Sequence, residues 1–376
     1  MSNSRRYDID WLRVISIGLL LIYHIAIVFQ PWAMFIAFIK SNESLQGLWT
    51  AMTFLNVWRI PFLFYVSGMG VFFALRSRNL KQLIIERSKR ILLPFVFGFF
   101  AIVPLHYFLF QEHYNLPMSY KPDIGHLWFL GNIFVYVLVL APLFIYLKNN
   151  EDSRFMKGVK SVVSNPFGLM ILTFILVIEA LLLSPQIFTM YARSWHGFFI
   201  GFGAFFLGFL FVLCGDSFWN TVKKWKWMYF ALAASLYTVR AIVFNTESPS
   251  YLMSIESNIW ILSLFGFGYV YLNKPSKYLS YLSKAAYPVY IIHMFVLYGV
   301  SMLVLSLDVS VYFKFPLVVV FTFIICFLIY EFIISRIGFL RPLFGLNYNA
   351  KKPVPVVESE PDNKITIESA ISRFSH

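Results

Sequence analysis

Apolar residues run along this chain in long blocks, not in the alternating or one-faced patterns of a water-soluble fold. Ten blocks stand out: Trp11–Phe29, Phe54–Leu75, Ile91–Phe110, Leu127–Leu147, Phe167–Leu183, Gly197–Leu213, Trp227–Phe244, Ser257–Leu272, Ala286–Leu305 and Tyr312–Ile334. Each approaches the roughly 20 residues that cross a bilayer as a helix. The pattern predicts an all-α fold, a polytopic integral membrane bundle of about ten transmembrane helices. Residues 1–345 would form the membrane domain. Residues 346–376 are polar, proline-containing and of mixed charge, which predicts a disordered cytoplasmic tail.

Composition narrows the class. Of 376 residues, 59% are hydrophobic and only 13% charged, too little polar surface to clothe a soluble domain. Arg5 and Arg6 precede the first block, as in a signal peptide. That block carries Arg13 and His24, groups costly inside a membrane, which predicts a retained first helix. Cys214 and Cys326 lie in apolar blocks without metal-ligand spacing and read as packing residues.

The net charge of +13 would suggest a nucleic-acid partner in a soluble protein. Here the loops account for it. With ten spans, 22 Lys and Arg fall on one side and four on the other, namely Lys40, Lys121, Arg193 and Lys314. The positive-inside rule makes the rich side cytoplasmic, with both termini there, in a cell membrane. Lipids, not nucleic acid, are the expected surroundings.

Ionisable groups inside the spans locate the candidate chemistry. Arg13 and His24 are eleven residues apart, which puts both on one face of a helix about 16 Å apart along its axis. Asp10 can pair with Arg13 at i, i+3. A second group collects towards the outer ends of the spans: Arg59, His106, His126, Glu179, Arg193, His196, Arg240 and Glu256. Individually each could simply reach interfacial water; together they suggest a polar cavity open to the outside. On the inner side Arg87-Ser88-Lys89-Arg90 reads either as loop charge or as a phosphate clamp. His293 lies a third of the way into the ninth block, after Pro288. No Walker A loop, GxSxG elbow, HExxH or His/Cys metal set is present, so neither a metal site nor nucleotide hydrolysis is expected.

Arg13-x10-His24 resembles the Arg-x10-His motif of the membrane acyltransferase-3 family. Tyr7–Arg13, Arg59-Ile60-Pro61, Phe64–Gly68, Arg87-x-x-Arg90, His126–Leu130 and Tyr287–His293 agree with it in order, over about residues 5–345. Within the family the pattern is similar to the glucan biosynthesis protein C branch. The resemblance implies an O-acyltransferase that takes an acetyl or succinyl group from cytoplasmic acyl-CoA, as co-substrate and not as resident cofactor. The group would be delivered to a hydroxyl of an extracytoplasmic glycan or glycolipid. It implies His24 and Arg13 as catalytic residues, and Arg87, Arg90, Ser67 and Gly68 on the donor side. Arg59, His126, Trp128, Glu179 and Arg240 would stand on the acceptor side, with Tyr290 and His293 nearby. His24 could deprotonate the acceptor or itself carry the acyl group. A secondary transporter of an anion or lipid-linked sugar would share the spans and outer polar groups. It has no need of an Arg13/His24 face next to the Arg87 run.

Overall fold

Lipid offers no hydrogen-bond partners to backbone N–H and C=O groups, so each apolar block must satisfy its own as a helix. The computed structural model describes residues 5–348. In order the helices are α1 (Tyr7–Val28), α2 (Leu48–Leu75), α3 (Leu80–His113), α4 (Gly125–Asn149), α5 (Arg154–Val163), α6 (Pro166–Leu183), α7 (Trp195–Cys214), α8 (Asp216–Val243), α9 (Ser250–Tyr271), α10 (Lys277–Leu305) and α11 (Val311–Ile334). Local sequence sets their starts. Asn79, Ser153, Asn165, Ser194 and Ser276 cap α3, α5, α6, α7 and α10, each side chain accepting from a first-turn N–H.

Among the described residues, eight helices are long and apolar enough to cross a membrane: α1, α2, α3, α4, α6, α7, α10 and α11. Eight of the ten expected spans meet this measure. α8 and α9 have the length, at 28 and 22 residues, but are more polar. α8 carries Lys223, Lys224 and Lys226 in its first half, and α9 buries Ser254, Glu256, Ser257, Asn258 and Ser263. The two helices pack on each other, so α9's polar face meets protein and not lipid.

α2 is the hub. Its most apolar stretch is 83% buried, against 28% for the peripheral α11. α2 and α7 meet backbone to backbone: a Cβ on Gly68 would overlap the carbonyl oxygen of Phe205, and one on Gly208 that of Tyr65. Small residues permit such close approach between membrane helices. α1 packs on α2 and α10, and α10 on α3 and α11. Between α1 and α2 the chain folds back over the end of α1. The N–H groups of Ser41 and Leu45 donate to the carbonyls of Val28 and Phe29, and that of Lys40 to the Tyr114 hydroxyl. This seats the Phe38 ring 5.9 Å from that of His24.

Candidate active site

A cavity of about 840 Å³ opens among α1, α2, α3, α4, α10 and α11. That is ample for a ligand the size of a coenzyme. Its wall carries six basic side chains, Arg13, Arg87, Arg90, Lys277, Lys284 and Arg341, against one carboxylate, Glu331. Its inner part is apolar and aromatic, with Leu63, Phe129, Ile133 and Tyr290. π-helical turns at Ser88–Leu92 in α3 and Tyr330–Ile334 in α11 contribute to the wall. The extra residue in such a turn re-aims the side chains around it, a device frequent at functional sites. The basic groups are partly balanced. Arg13 pairs with Asp10 at 2.9 Å, as its spacing anticipates, and Arg87 and Arg90 share Glu86 at 3.2 and 3.1 Å.

Three helices extend this wall inward, each along one stripe of i, i+3 and i+4 positions. On α1 the cavity is lined by Arg13 and Ile17, and the stripe continues to His24, about 10 Å beyond Ile17. On α2 it is lined by Gly70, Ser67 and Leu63, and the next position is Arg59, about 6 Å further. On α10 the order is Ser280, Lys284, Tyr287 and Tyr290, followed by His293.

The stripes of α1 and α10 meet at their inner ends. His24 Nδ1 stands 2.8 Å from His293 Nε2, with the rings nearly parallel at 6°. His293 Nδ1 stands 2.6 Å from the carbonyl oxygen of Tyr290. A carbonyl only accepts, so His293 carries its proton on Nδ1 and, when neutral, presents a lone pair at Nε2. His24 must then donate from Nδ1, which leaves its Nε2 unprotonated. His126 is held in the opposite sense, its Nε2–H donating to the Ile291 carbonyl at 3.0 Å. Its own carbonyl accepts the Tyr290 hydroxyl at 2.6 Å. Gly125, at φ +49°, makes the turn that brings His126 there, and a side chain in its place would press on Val103. The His126 ring lies 4.9 Å from His293 and 5.9 Å from His106. Among the described residues no group of three or more His, Cys, Asp or Glu is arranged to hold a metal ion.

The structure thus gathers residues that the sequence kept apart. His126 and His106, read with the outer group, join His24 and His293. Arg59 is 2% exposed, with its guanidinium 4.0 Å above the Tyr23 ring and Nη2 donating to Asn56 at 3.0 Å. Trp128 packs edge-on against Phe64, between α2 and α4. Ser67 lines the cavity, its hydroxyl donating to the Leu63 carbonyl at 2.7 Å. Gly68 does not line it. It faces α7, so its role is packing, and Gly70 is the α2 glycine on the cavity wall.

Much of the outer group pairs off locally instead. His196 Nδ1 is 2.9 Å from Glu179, and both are enclosed. Arg240 donates to both oxygens of Glu256, at 2.6 and 3.0 Å, and to the carbonyls of Thr246 and Thr53. Arg193 pairs with Asp123. Desolvated charges must be paired, and His196 with Glu179 and Arg240 with Glu256 satisfy one another across neighbouring helices, whereas Arg193 and Asp123 are partly exposed loop residues.

Some wall residues were missed by the sequence reading. Lys277, Lys284 and Arg341 registered only as loop charge, although Lys277 and Lys284 fall on the stripe that ends in Tyr287, Tyr290 and His293. Gly345, at φ +72°, turns the chain back so that Leu346 and Asn347 close one side of the cavity. The rest of the expected tail, from residue 349, lies outside the described residues.

Comparison with known proteins bears on this geometry. One family's sequence model, described as an acyltransferase domain, matches residues 6–331. No curated protein and no solved structure matches the chain.

Proposed function

Since the chain belongs to this family of acyltransferase domains, we propose that it moves an acyl group from acyl-CoA, bound in the basic cavity, to a hydroxyl of an extracytoplasmic glycan or glycolipid. The observation that supports this most is the alignment of the helix stripes: the faces of α1 and α10 that line the cationic cavity continue inward to the His24–His293 pair, where His24 keeps a free Nε2.

In this reading Arg13, Arg87, Arg90, Lys277, Lys284 and Arg341 hold the phosphates of coenzyme A, the arginines through forked contacts. The pantetheine arm follows the apolar inner wall, and the roughly 16 Å from Arg13 to His24 is of the order of its length. His24 Nε2 takes the proton of the acceptor hydroxyl as the oxygen attacks the thioester carbonyl. A C–O bond forms, the C–S bond breaks, and the thiolate recovers the proton from His24, so no proton is gained or lost. His293 holds His24 in the required tautomer. The ten-helix topology with both termini cytoplasmic, which counts α8 and α9 as spans, gives the donor the inner side and the acceptor the outer. The acyl group is acetyl or succinyl, the latter following the similarity to the glucan biosynthesis protein C branch.

Mass spectrometry of surface glycans from cells with and without the protein tests this. An acyl ester present only with the protein is the expected result. Identical glycans in both, with the protein expressed, would overturn it.

A further inference from the structure

The described residues contain two fully enclosed arginines, Arg59 and Arg240, and the fold treats them differently. Arg240 has a carboxylate, Glu256, and every one of its nitrogens donates a hydrogen bond. Arg59 is equally buried, at 2% exposed. Among the described residues no carboxylate forms an ion pair with it, and its Nε and Nη1 have no partner. Only Nη2 is used, on Asn56. Asn56 in turn donates to the Tyr23 hydroxyl at 2.9 Å, and the guanidinium lies over the Tyr23 ring. The side chain is therefore held in place while two of its nitrogens stay open. An uncompensated buried charge is costly, and a folded protein normally pairs it.

Its position supplies a reason. Arg59 is the next residue on the α2 stripe after Leu63, which lines the cavity. Tyr23, on which it rests, immediately precedes His24. Arg59 thus lies beyond the inner end of the cavity, beside the residue to which the α1 stripe leads.

We infer that Arg59 is the cationic half of a subsite for an anionic group, a carboxylate or phosphate, that arrives with a substrate. The inference rests on the proposed acyl transfer and specifies its substrate class. The anion is either the far end of the transferred acyl chain or a substituent of the acceptor. Asn56 takes one of the two Nη2 N–H groups, and the other completes a planar fork with Nε or with Nη1, which suits two oxygens of such a group.

Binding measured on the purified full chain in detergent tests this, using matched probe pairs. Succinyl-CoA against butyryl-CoA differ by a terminal carboxylate, and glucuronate against glucose do so on the sugar side. Wild type should prefer the anionic member of one pair by about tenfold or more, the scale of a charge-assisted hydrogen bond. The pair that discriminates identifies the source. Arg59→Gln should abolish that preference. Arg59→Lys, which keeps the charge without the fork, should retain part of it and serves if Arg59→Gln fails to fold. Equal binding within both pairs by wild type, or a preference undiminished in the variants, would overturn the inference. If neither CoA ester binds at all, the donor reading fails separately, and the sugar pair alone decides the role of Arg59.

Discussion

Replacing His293 isolates the contribution of tautomer control. His293→Leu removes the acceptor 2.8 Å from His24 Nδ1. The orphaned N–H would be left in an enclosed site, at a cost of about 1–3 kcal/mol. His24 escapes that cost by moving its proton to Nε2, the atom required to be free. Returning to the reactive tautomer restores the penalty, which corresponds to a rate loss of roughly five- to 150-fold. The basic mouth at Lys277 lies about 24 Å away along α10, so donor binding should not change. Single-turnover transfer from labelled acyl-CoA, with donor affinity measured separately, reads both quantities. His293→Gln, whose carbonyl can accept in place of Nε2, should recover part of the rate. A wild-type rate in a folded His293→Leu protein, or an effect confined to donor affinity, would refute the tautomer argument.

Other parts of the structure make separate predictions. Gly208→Ala should force α2 and α7 apart and cost about 1–3 kcal/mol in unfolding, as overpacked sites do. Gly18→Ala, with open space around it, should leave the thermal midpoint in place. Glu256→Gln should destabilise by about 3–5 kcal/mol because it strands Arg240, whereas replacing both residues with Met should cost less; thermal unfolding in detergent compares the two variants. Single cysteines at Ser119 and Ser276 should react with an impermeant maleimide from opposite sides of the membrane, and reaction from the same side would break the proposed topology.

The chain's periodicities reached some of this structure and not the rest, for identifiable reasons. The apolar blocks locate the helices because in a membrane each block must satisfy its own backbone. They do not by themselves set α8 and α9 apart from the eight more apolar helices, because block length says nothing of a helix such as α9, whose Glu256 and Asn258 are covered by protein. The Arg13–His24 face is legible because it lies within one helix. The His24–His293 contact is not, since 269 residues separate the partners and only tertiary packing brings them together. Arg240 and Glu256, sixteen residues apart on different helices, look like cavity groups in sequence and are each other's counter-charge in space. Gly68 shows the converse limit. A Ser-Gly pair on one helix carries neighbours that face different ways, so Ser67 reaches the cavity while Gly68 meets α7.

Central to the chemistry is His24 as the base that takes the proton of the acceptor hydroxyl. The most direct measurement loads purified protein into liposomes with labelled acyl-CoA inside and a glycan acceptor outside, comparing wild type with His24→Ala. Wild type should place label on the external glycan and release coenzyme A inside, and His24→Ala should do neither while still binding acyl-CoA. Transfer by His24→Ala at the wild-type rate would contradict the account.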